Sequence, residues 1–179
     1  MIEMDSLVLP PEAAGEAKAW LRAVHGEDDG AIAALVQGAA ELCERFTARV
    51  LLARGVRQTL RVRLGWLRLG RNPVRSIEAA EAIAPDGTAS PLAADSYAID
   101  IDANGDGWVR LEAGVAAARI RISYQAGLAA VWADLPQALR HGVTRLATHF
   151  YALRTGTPGD APPASVTALW RPYRRLGLR

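Results

Sequence analysis

The segment VRQTLRVRL, residues 56–64, decides the fold class, because there the periodicity of the chain changes from helical to extended. Its side chains alternate, with Arg57, Thr59, Arg61 and Arg63 on one side and Val56, Leu60, Val62 and Leu64 mostly on the other. A period of two is typical of a strand with one buried and one polar face. We therefore predict that a β-sheet begins at this segment.

Two helices are predicted before this strand. The first spans residues 11–24, starts at two prolines and ends at His25-Gly26. Its apolar face comprises Ala17, Trp20, Leu21 and Val24. The second is capped by Asp28 or Asp29 and closed by Gly55. Its apolar positions recur at helical spacing: Ile32, Leu35, Val36, Ala39, Leu42, Cys43, Phe46 and Val50.

Further strands are predicted after residue 64. Short apolar or alternating runs at 74–83, 97–101, 108–111 and 119–124 are separated by turn sequences such as Pro85-Asp86-Gly87 and Asn104-Gly105-Asp106-Gly107. Strands of this length, joined by tight turns, predict one small antiparallel sheet.

Helical periodicity returns after Pro136, where Leu139, Val143, Leu146, Phe150 and Leu153 recur at steps of three and four. We therefore predict an α+β protein that is mainly α: a helical bundle with an inserted antiparallel β subdomain and an extended C-terminal arm. The predicted boundaries are 1–55 for the N-terminal helices, 56–127 for the β subdomain, 128–155 for the long helix, and 156–179 for the linker and arm.

The composition indicates a soluble cytosolic protein. Half of the 179 residues are hydrophobic, yet no apolar run approaches the ~20 residues that a membrane span needs. The first five residues are acidic and lack the basic start of a signal peptide. Cys43 is the only cysteine, which rules out an intrachain disulfide. No membrane partner is expected.

The charges are arranged in blocks although the net charge is only +2. Residues 1–44 carry nine acids against Lys18 and Arg22, whereas residues 45–75 carry nine arginines and no acid. Such blocks can neutralise each other within the fold. They also suit a subunit that meets copies of itself through opposite faces.

The loop from Asp100 to Glu112 begins like an EF-hand calcium site, with oxygen ligands at positions 1, 3 and 5 and glycine at position 6. Leu111 occupies position 12, where the bidentate glutamate should stand, and the flanks are predicted strands. A hairpin turn is therefore favoured over a metal site.

No enzyme constellation is apparent, and no cofactor is expected. His25, His141 and His149 are not paired at helical spacing, and the six serines lack a nucleophile motif. Cys43 lies on the apolar stripe of its helix, which favours a packing role.

The arginines of the first strand are candidate contacts to other macromolecules. Arg57, Arg61 and Arg63 could touch phosphates or a neighbouring subunit. No helix-turn-helix or zinc-finger pattern accompanies them, so a solvated or intersubunit face is favoured over DNA binding.

The end of the chain combines aromatics and arginines behind a breaker segment, TGTPGDAPP at 155–163. Disordered tails are normally poor in large aromatics. The composition predicts an arm that leaves its own domain and is buried in a partner. The alternative is that the arm folds back on its own domain.

A series of short motifs, in order along nearly the whole chain, resembles the adaptor type of phage head–tail connector proteins. The motifs are KAWLR (18–22), EDDGAIAALV (27–36), ERFTAR (44–49), NPVRSI (72–77), YAID (97–100), ISYQAG (122–127), LPQAL (135–139), FYALR (150–154) and LWRPYR (169–174). Gene transfer agents, phage-like particles of alphaproteobacteria, use similar adaptors. The chain departs from the pattern at Trp170, where the family has a small aliphatic residue, and in its proline-rich linker.

The resemblance implies a non-enzymatic subunit of the particle neck, made in the bacterial host cytoplasm. Such subunits assemble into a ring, usually of twelve copies, beneath the portal protein. They extend the channel for double-stranded DNA and carry the next connector, the stopper. The implied portal-binding residues all lie in the arm: Leu169, Trp170, Arg171, Pro172, Tyr173, Arg174, Arg175 and Leu178.

Two other functions remain open on sequence alone. A DNA-binding protein acting through its arginine blocks would bind duplex DNA with a steep salt dependence. A calcium-stabilised module would release or take up heat in a calcium titration.

Overall fold

The computed structural model describes residues 1–22, 28–115, 117–153 and 162–175, and within them the chain is α+β, as predicted. The helices are α1 (Pro11–Leu21), α2 (Asp29–Thr47), α3 (Gln137–Leu153) and α4 (Ala164–Trp170). The strands are β1 (Ile2–Met4), β2 (Arg54–Arg61), β3 (Leu67–Arg68), β4 (Val74–Ile83), β5 (Ala89–Pro91), β6 (Tyr97–Ile101), β7 (Gly107–Leu111) and β8 (Arg119–Ala126). None of the described helices has the length and apolar character that crossing a membrane requires.

The chain divides into two compact units. The β unit comprises Met1–Ser6 and Ala53–Leu128, and the helical unit comprises Leu7–Leu52 and Ala129–Arg179. The β unit thus includes the first six residues, which the sequence had assigned to the N-terminal helices. Strand β1 is three residues long, too short for an alternating pattern to announce it.

The β unit contains two antiparallel sheets, not the single sheet predicted. Five strands pair in the order β1-β2-β8-β4-β5, and three pair in the order β3-β7-β6. The predicted strands at 74–83 and 97–101 are confirmed, whereas β3 and β5, of two and three residues, were not predicted. The buried face of the larger sheet is supplied by alternate residues of the central strands, including Val56, Ile120, Ile122, Tyr124 and Ala126.

A buried hydrogen-bond network closes one side of this sheet. The Tyr124 hydroxyl donates to Gln58 Oε1 over 3.0 Å and accepts from the Arg71 main-chain N–H over 3.1 Å. The same Gln58 oxygen accepts from the Gly70 N–H over 2.8 Å. The network ties the loop before β4 to β2 and β8, because the Gly70 amide bonds to Gln58 and the Arg71 amide to Tyr124.

Tyr124→Phe is expected to destabilise the β unit by about 1–3 kcal/mol, because the Arg71 amide loses a buried acceptor. Burial raises the pKa of the Tyr124 hydroxyl above its ordinary 10.0, and the hydrogen bond from Arg71 partly offsets this. A raised pKa in the folded state stabilises the protein fully below the unfolded pKa, and this contribution is lost as pH rises through the folded pKa. Urea denaturation at about pH 8 and about pH 11 should therefore show a smaller pH-dependent loss in the variant. An equal loss in both proteins would assign the alkaline destabilisation to other groups.

The helical unit packs α1 and α2 against α3. Its core includes Ala13, Ala17, Ile32, Val36, Ala39, Cys43, Leu139, Val143 and Leu146. The predicted stripes of α2 and α3 are largely confirmed. The prediction for α1 was wrong at Trp20, which is 57% exposed while the smaller Ala13 and Ala17 are buried. The predicted ending of α1 at His25-Gly26 lies outside the described residues.

Helix α2 ends well before the predicted Gly55. It stops at Thr47, whose hydroxyl donates to the Cys43 carbonyl over 2.7 Å, and Ala48 then adopts a left-handed conformation. The next residues, Val50–Leu52, are buried in an irregular connection, where the Leu51 N–H donates to Glu44 Oε1 over 2.7 Å. The apolar residues that helical spacing assigned to the end of α2 therefore lie in a connecting segment that packs on the core.

Candidate functional site

The C-terminal segment, residues 162–175, packs on the helical unit. Helix α4 begins after Pro163, whose carbonyl accepts from the Val166 N–H over 2.9 Å and the Thr167 N–H over 3.0 Å. A single 3-10 turn, Arg171–Tyr173, follows it. The described part of the predicted extended arm is therefore a short helix and a turn. This is the alternative in which the arm folds back on its own domain.

Trp170 is the centre of this contact and is 0% exposed. Its ring lies 5.8 Å from the ring of Phe46 on α2, and its Nε1 donates to the Leu139 carbonyl over 3.4 Å. A Cβ at position 142 of α3 would lie 2.1 Å from Trp170 Nε1, so only glycine leaves room for the indole. Trp170 is buried, as the aromatic content of the C-terminal segment predicted. The residues that bury it belong to the same chain and not to a partner.

Two hydrogen bonds to main-chain carbonyls hold the segment beside the end of α2. Arg49 Nε donates to the Tyr173 carbonyl over 3.0 Å, and the Arg175 N–H donates to the Thr47 carbonyl over 2.8 Å. The Arg174 guanidinium lies 5.6 Å from the centre of the Phe46 ring. These contacts fix the positions of the residues that follow Trp170.

The predicted portal-binding residues are thus divided by exposure. Trp170 is buried, whereas Arg171, Pro172 and Arg174 are exposed. Leu169, Tyr173 and Arg175 are half-buried. Leu178 lies outside the described residues. A partner that meets the segment in this conformation would contact a basic surface with apolar side chains at its edge.

The predicted arginines of β2 lie in different surroundings. Arg57 and Arg61 are exposed on the solvent face of the sheet, and Arg63 follows in the loop before β3. Arg57 is directly opposite Glu3 of β1, but Arg61 is directly opposite Arg119 of β8. Like charges at opposed positions destabilise a sheet. An anionic group bound at the end of β2 would relieve the repulsion between Arg61 and Arg119.

The calcium-like loop is a hairpin turn whose Asp102 carboxylate is satisfied by protein donors. Asp102 Oδ1 accepts from the main-chain N–H groups of Asn104 and Asp106, at 2.8 and 3.0 Å. Its Oδ2 accepts from Trp108 Nε1 over 3.1 Å. These hydrogen bonds, with the Asp106 amide first, lower the pKa of the Asp102 carboxyl. Within the described ranges, no three histidine, cysteine or acidic side chains form a metal-binding group.

Cys43 is completely buried, and burial, with a smaller effect of Glu44, raises the pKa of its thiol. A thiol without access to solvent or a thiolate form is a poor nucleophile. His141 lies against the Trp20 ring at 5.1 Å, and His149 lies against Phe150 at 6.0 Å. These residues therefore have packing surroundings and not those of an acid–base pair.

Gly142 is the residue that sequence reasoning missed. Its signal was present: a glycine in the middle of a strongly amphipathic helix lowers helix propensity and usually has a packing reason. The reason is the Trp170 indole, which the sequence alone could not place against it.

The chain matches no protein-family model and no curated protein. Solved structures do match it, and three of these cover 100% of its length with 97% of theirs. They are the neck of an empty GTA particle computed with C6 symmetry (26% identity, TM-score 0.79), the virion of a native gene transfer agent (GTA) particle (27%, 0.78), and the neck of a native GTA particle computed with C12 symmetry (25%, 0.74). They confirm the predicted resemblance to head–tail connector proteins.

Proposed function

We propose that this chain is the adaptor subunit below the portal. It is a structural protein of the head–tail connector type found in the neck of phage-like gene transfer agent particles. The observation that carries the proposal is the full-length match to neck structures. In this role a ring of copies extends the DNA channel and joins the capsid to the stopper and tail. The symmetries of the matched necks, C6 and C12, are both compatible with a ring of twelve.

The exposed side of the C-terminal segment is the proposed portal-binding surface. Arg171 and Arg174 would pair with portal carboxylates, and Pro172, Leu169 and Tyr173 would supply apolar contact. The hydrogen bonds from Arg49 and Arg175 hold this surface in place before it meets its partner. A preorganised surface loses less conformational entropy on binding than a free arm does. Many copies in one ring would add a large gain through effective concentration.

Co-sedimentation with the cognate portal ring tests the proposal. We expect the full chain to sediment with the cognate portal and not with a portal from an unrelated phage. Truncation before residue 162 is a poor test, because it would also remove Trp170 from the core of the helical unit. Absence of binding to the cognate portal at micromolar concentration would contradict the adaptor role.

A further inference from the structure

The loop between β2 and β3, residues 62–66, presents an apolar side chain to solvent on a fixed support. Leu64 at its tip is fully exposed. The Val62 N–H donates to the Ala118 carbonyl over 3.0 Å, which pins the start of the loop. At its end, the Arg110 guanidinium lies 5.2 Å from the centre of the Trp66 ring. Leu64 and Trp66, which is 44% exposed, line one surface depression and form a single exposed apolar patch beside arginines. Exposed apolar patches bordered by polar residues mark contacts to a partner.

Arginines surround this side chain. Arg63 adjoins Leu64 and is exposed, and the opposed pair Arg61 and Arg119 lies where β2 enters the loop. Neither the Arg61 nor the Arg63 guanidinium forms a hydrogen bond or ion pair with the part of the chain that the structure describes. The partner should therefore offer an apolar recess bordered by carboxylates.

The helical unit carries such a recess, the helical groove, with a volume of about 630 Å³. Its apolar lining comes from the segment before α1 and from α1 and α2: Leu7, Val8, Pro10, Ala14, Ala33 and Val36. Val8 is 78% exposed, and a Cβ added to Gly15 would meet no atom within 4 Å. The groove is therefore open to a side chain from outside.

Acidic residues predominate beside the groove. Glu12 is exposed at the start of α1, Asp29 lines the groove, and Glu41 is hydrogen-bonded to the lining residue Gln37 over 3.0 Å. Lys18 is the one base in the groove lining, and its Nζ lies 2.6 Å from Asp29 Oδ1. The groove surroundings are net acidic, which complements the arginines around Leu64.

We propose that neighbouring copies in the ring interlock, with Leu64 of one copy seated in the helical groove of the next and Arg61 and Arg63 facing its acids. This inference rests on the proposed ring. A contact between two different surfaces of one chain is heterologous, and a heterologous contact that is repeated generates a ring when its rotation closes after a whole number of copies. A neighbouring copy fits better than duplex DNA, because phosphates would account for the arginines but not for an exposed leucine and tryptophan.

Cysteine cross-linking on portal rings tests this contact. Leu64→Cys and Val8→Cys replace two exposed side chains, and the natural Cys43 is buried and will not compete. When both substitutions are in one chain, oxidation should give a ladder of products that continues past the dimer. A mixture of the two single variants should stop at the dimer, because each chain then has only one reactive partner.

Exchanging the charges on the two sides of the proposed contact tests it independently of cross-linking. Arg63→Glu should weaken assembly on the portal at least about tenfold, and adding Glu12→Arg in the same chain should restore most of it. Both positions are exposed, so neither variant should unfold.

The outcomes separate this contact from the adaptor role. A ladder past the dimer with charge rescue would support the interlock. Portal binding without a ladder would overturn the interlock and leave the adaptor role standing. If Arg63→Glu instead reduced binding to duplex DNA while assembly was unchanged, the arginines would be assigned to DNA. Absence of portal binding by the unmodified chain would overturn both proposals.

Discussion

Replacing Trp170 with alanine should lower the free energy of unfolding of the helical unit by about 3–5 kcal/mol. The indole is completely buried between α2 and α3, and no smaller side chain would fill the space that Gly142 leaves for it. Small domains are stabilised by only about 5–15 kcal/mol in total, so this single change should bring the unit close to unfolding. Urea denaturation followed by circular dichroism would measure it.

Trp20→Ala is the matched control, because this tryptophan is also in the helical unit but is largely exposed. Its loss should cost less than about 1 kcal/mol. If the two tryptophan variants unfolded at the same urea concentration, the packing of α4 on its own unit would be wrong and the free-arm alternative would regain support.

Reversing the charge of Arg171 and Arg174 together, with Arg171→Glu and Arg174→Glu, should abolish co-sedimentation with the portal. Each charged hydrogen bond lost contributes about 1.5–3 kcal/mol, and the losses of all subunits in a ring combine. Both side chains are exposed, so the variant should remain folded apart from the small contribution of Arg174 over the Phe46 ring. Sedimentation and urea denaturation of the same preparation would separate binding from folding.

The control for charge is the pair Arg71→Glu and Arg75→Glu, two exposed arginines of the β unit with the same change in net charge. This pair should bind the portal as the unmodified chain does. If the unmodified chain and both double variants bound the portal equally, the C-terminal segment would not be part of the portal contact. If both variants lost the same amount of portal binding, the loss would be a consequence of net charge alone.

The elements that sequence predicted well are those with long, regular periods. Helix α3 and strand β8 span many residues, so their apolar spacing specifies both the element and its buried face. The strands of two or three residues have no measurable period, and their pairing depends on distant partners. The predicted end of α2 was wrong for a related reason, because Val50–Leu52 are apolar for packing in an irregular connection and not in a helix.

The assignment of the motif LWRPYR to the portal contact stays a prediction. Its aromatic content indicated burial, and Trp170 is buried. Composition cannot tell burial against the same chain from burial against a partner, because both exclude water from the same atoms. Trp20 and Leu64 show the opposite error. The local sequence pattern predicts a buried side chain at each position, but both side chains are exposed in the structure.

The fit between Gly142 and Trp170 also has an evolutionary consequence. Any side chain at position 142 would overlap the indole, whereas a glycine facing a small residue at position 170 would leave a void. Neither position can therefore change alone without cost, although they are 28 residues apart in the chain. Relatives with the family's aliphatic residue at position 170 should have a larger residue than glycine at position 142, so that the two positions vary as a pair.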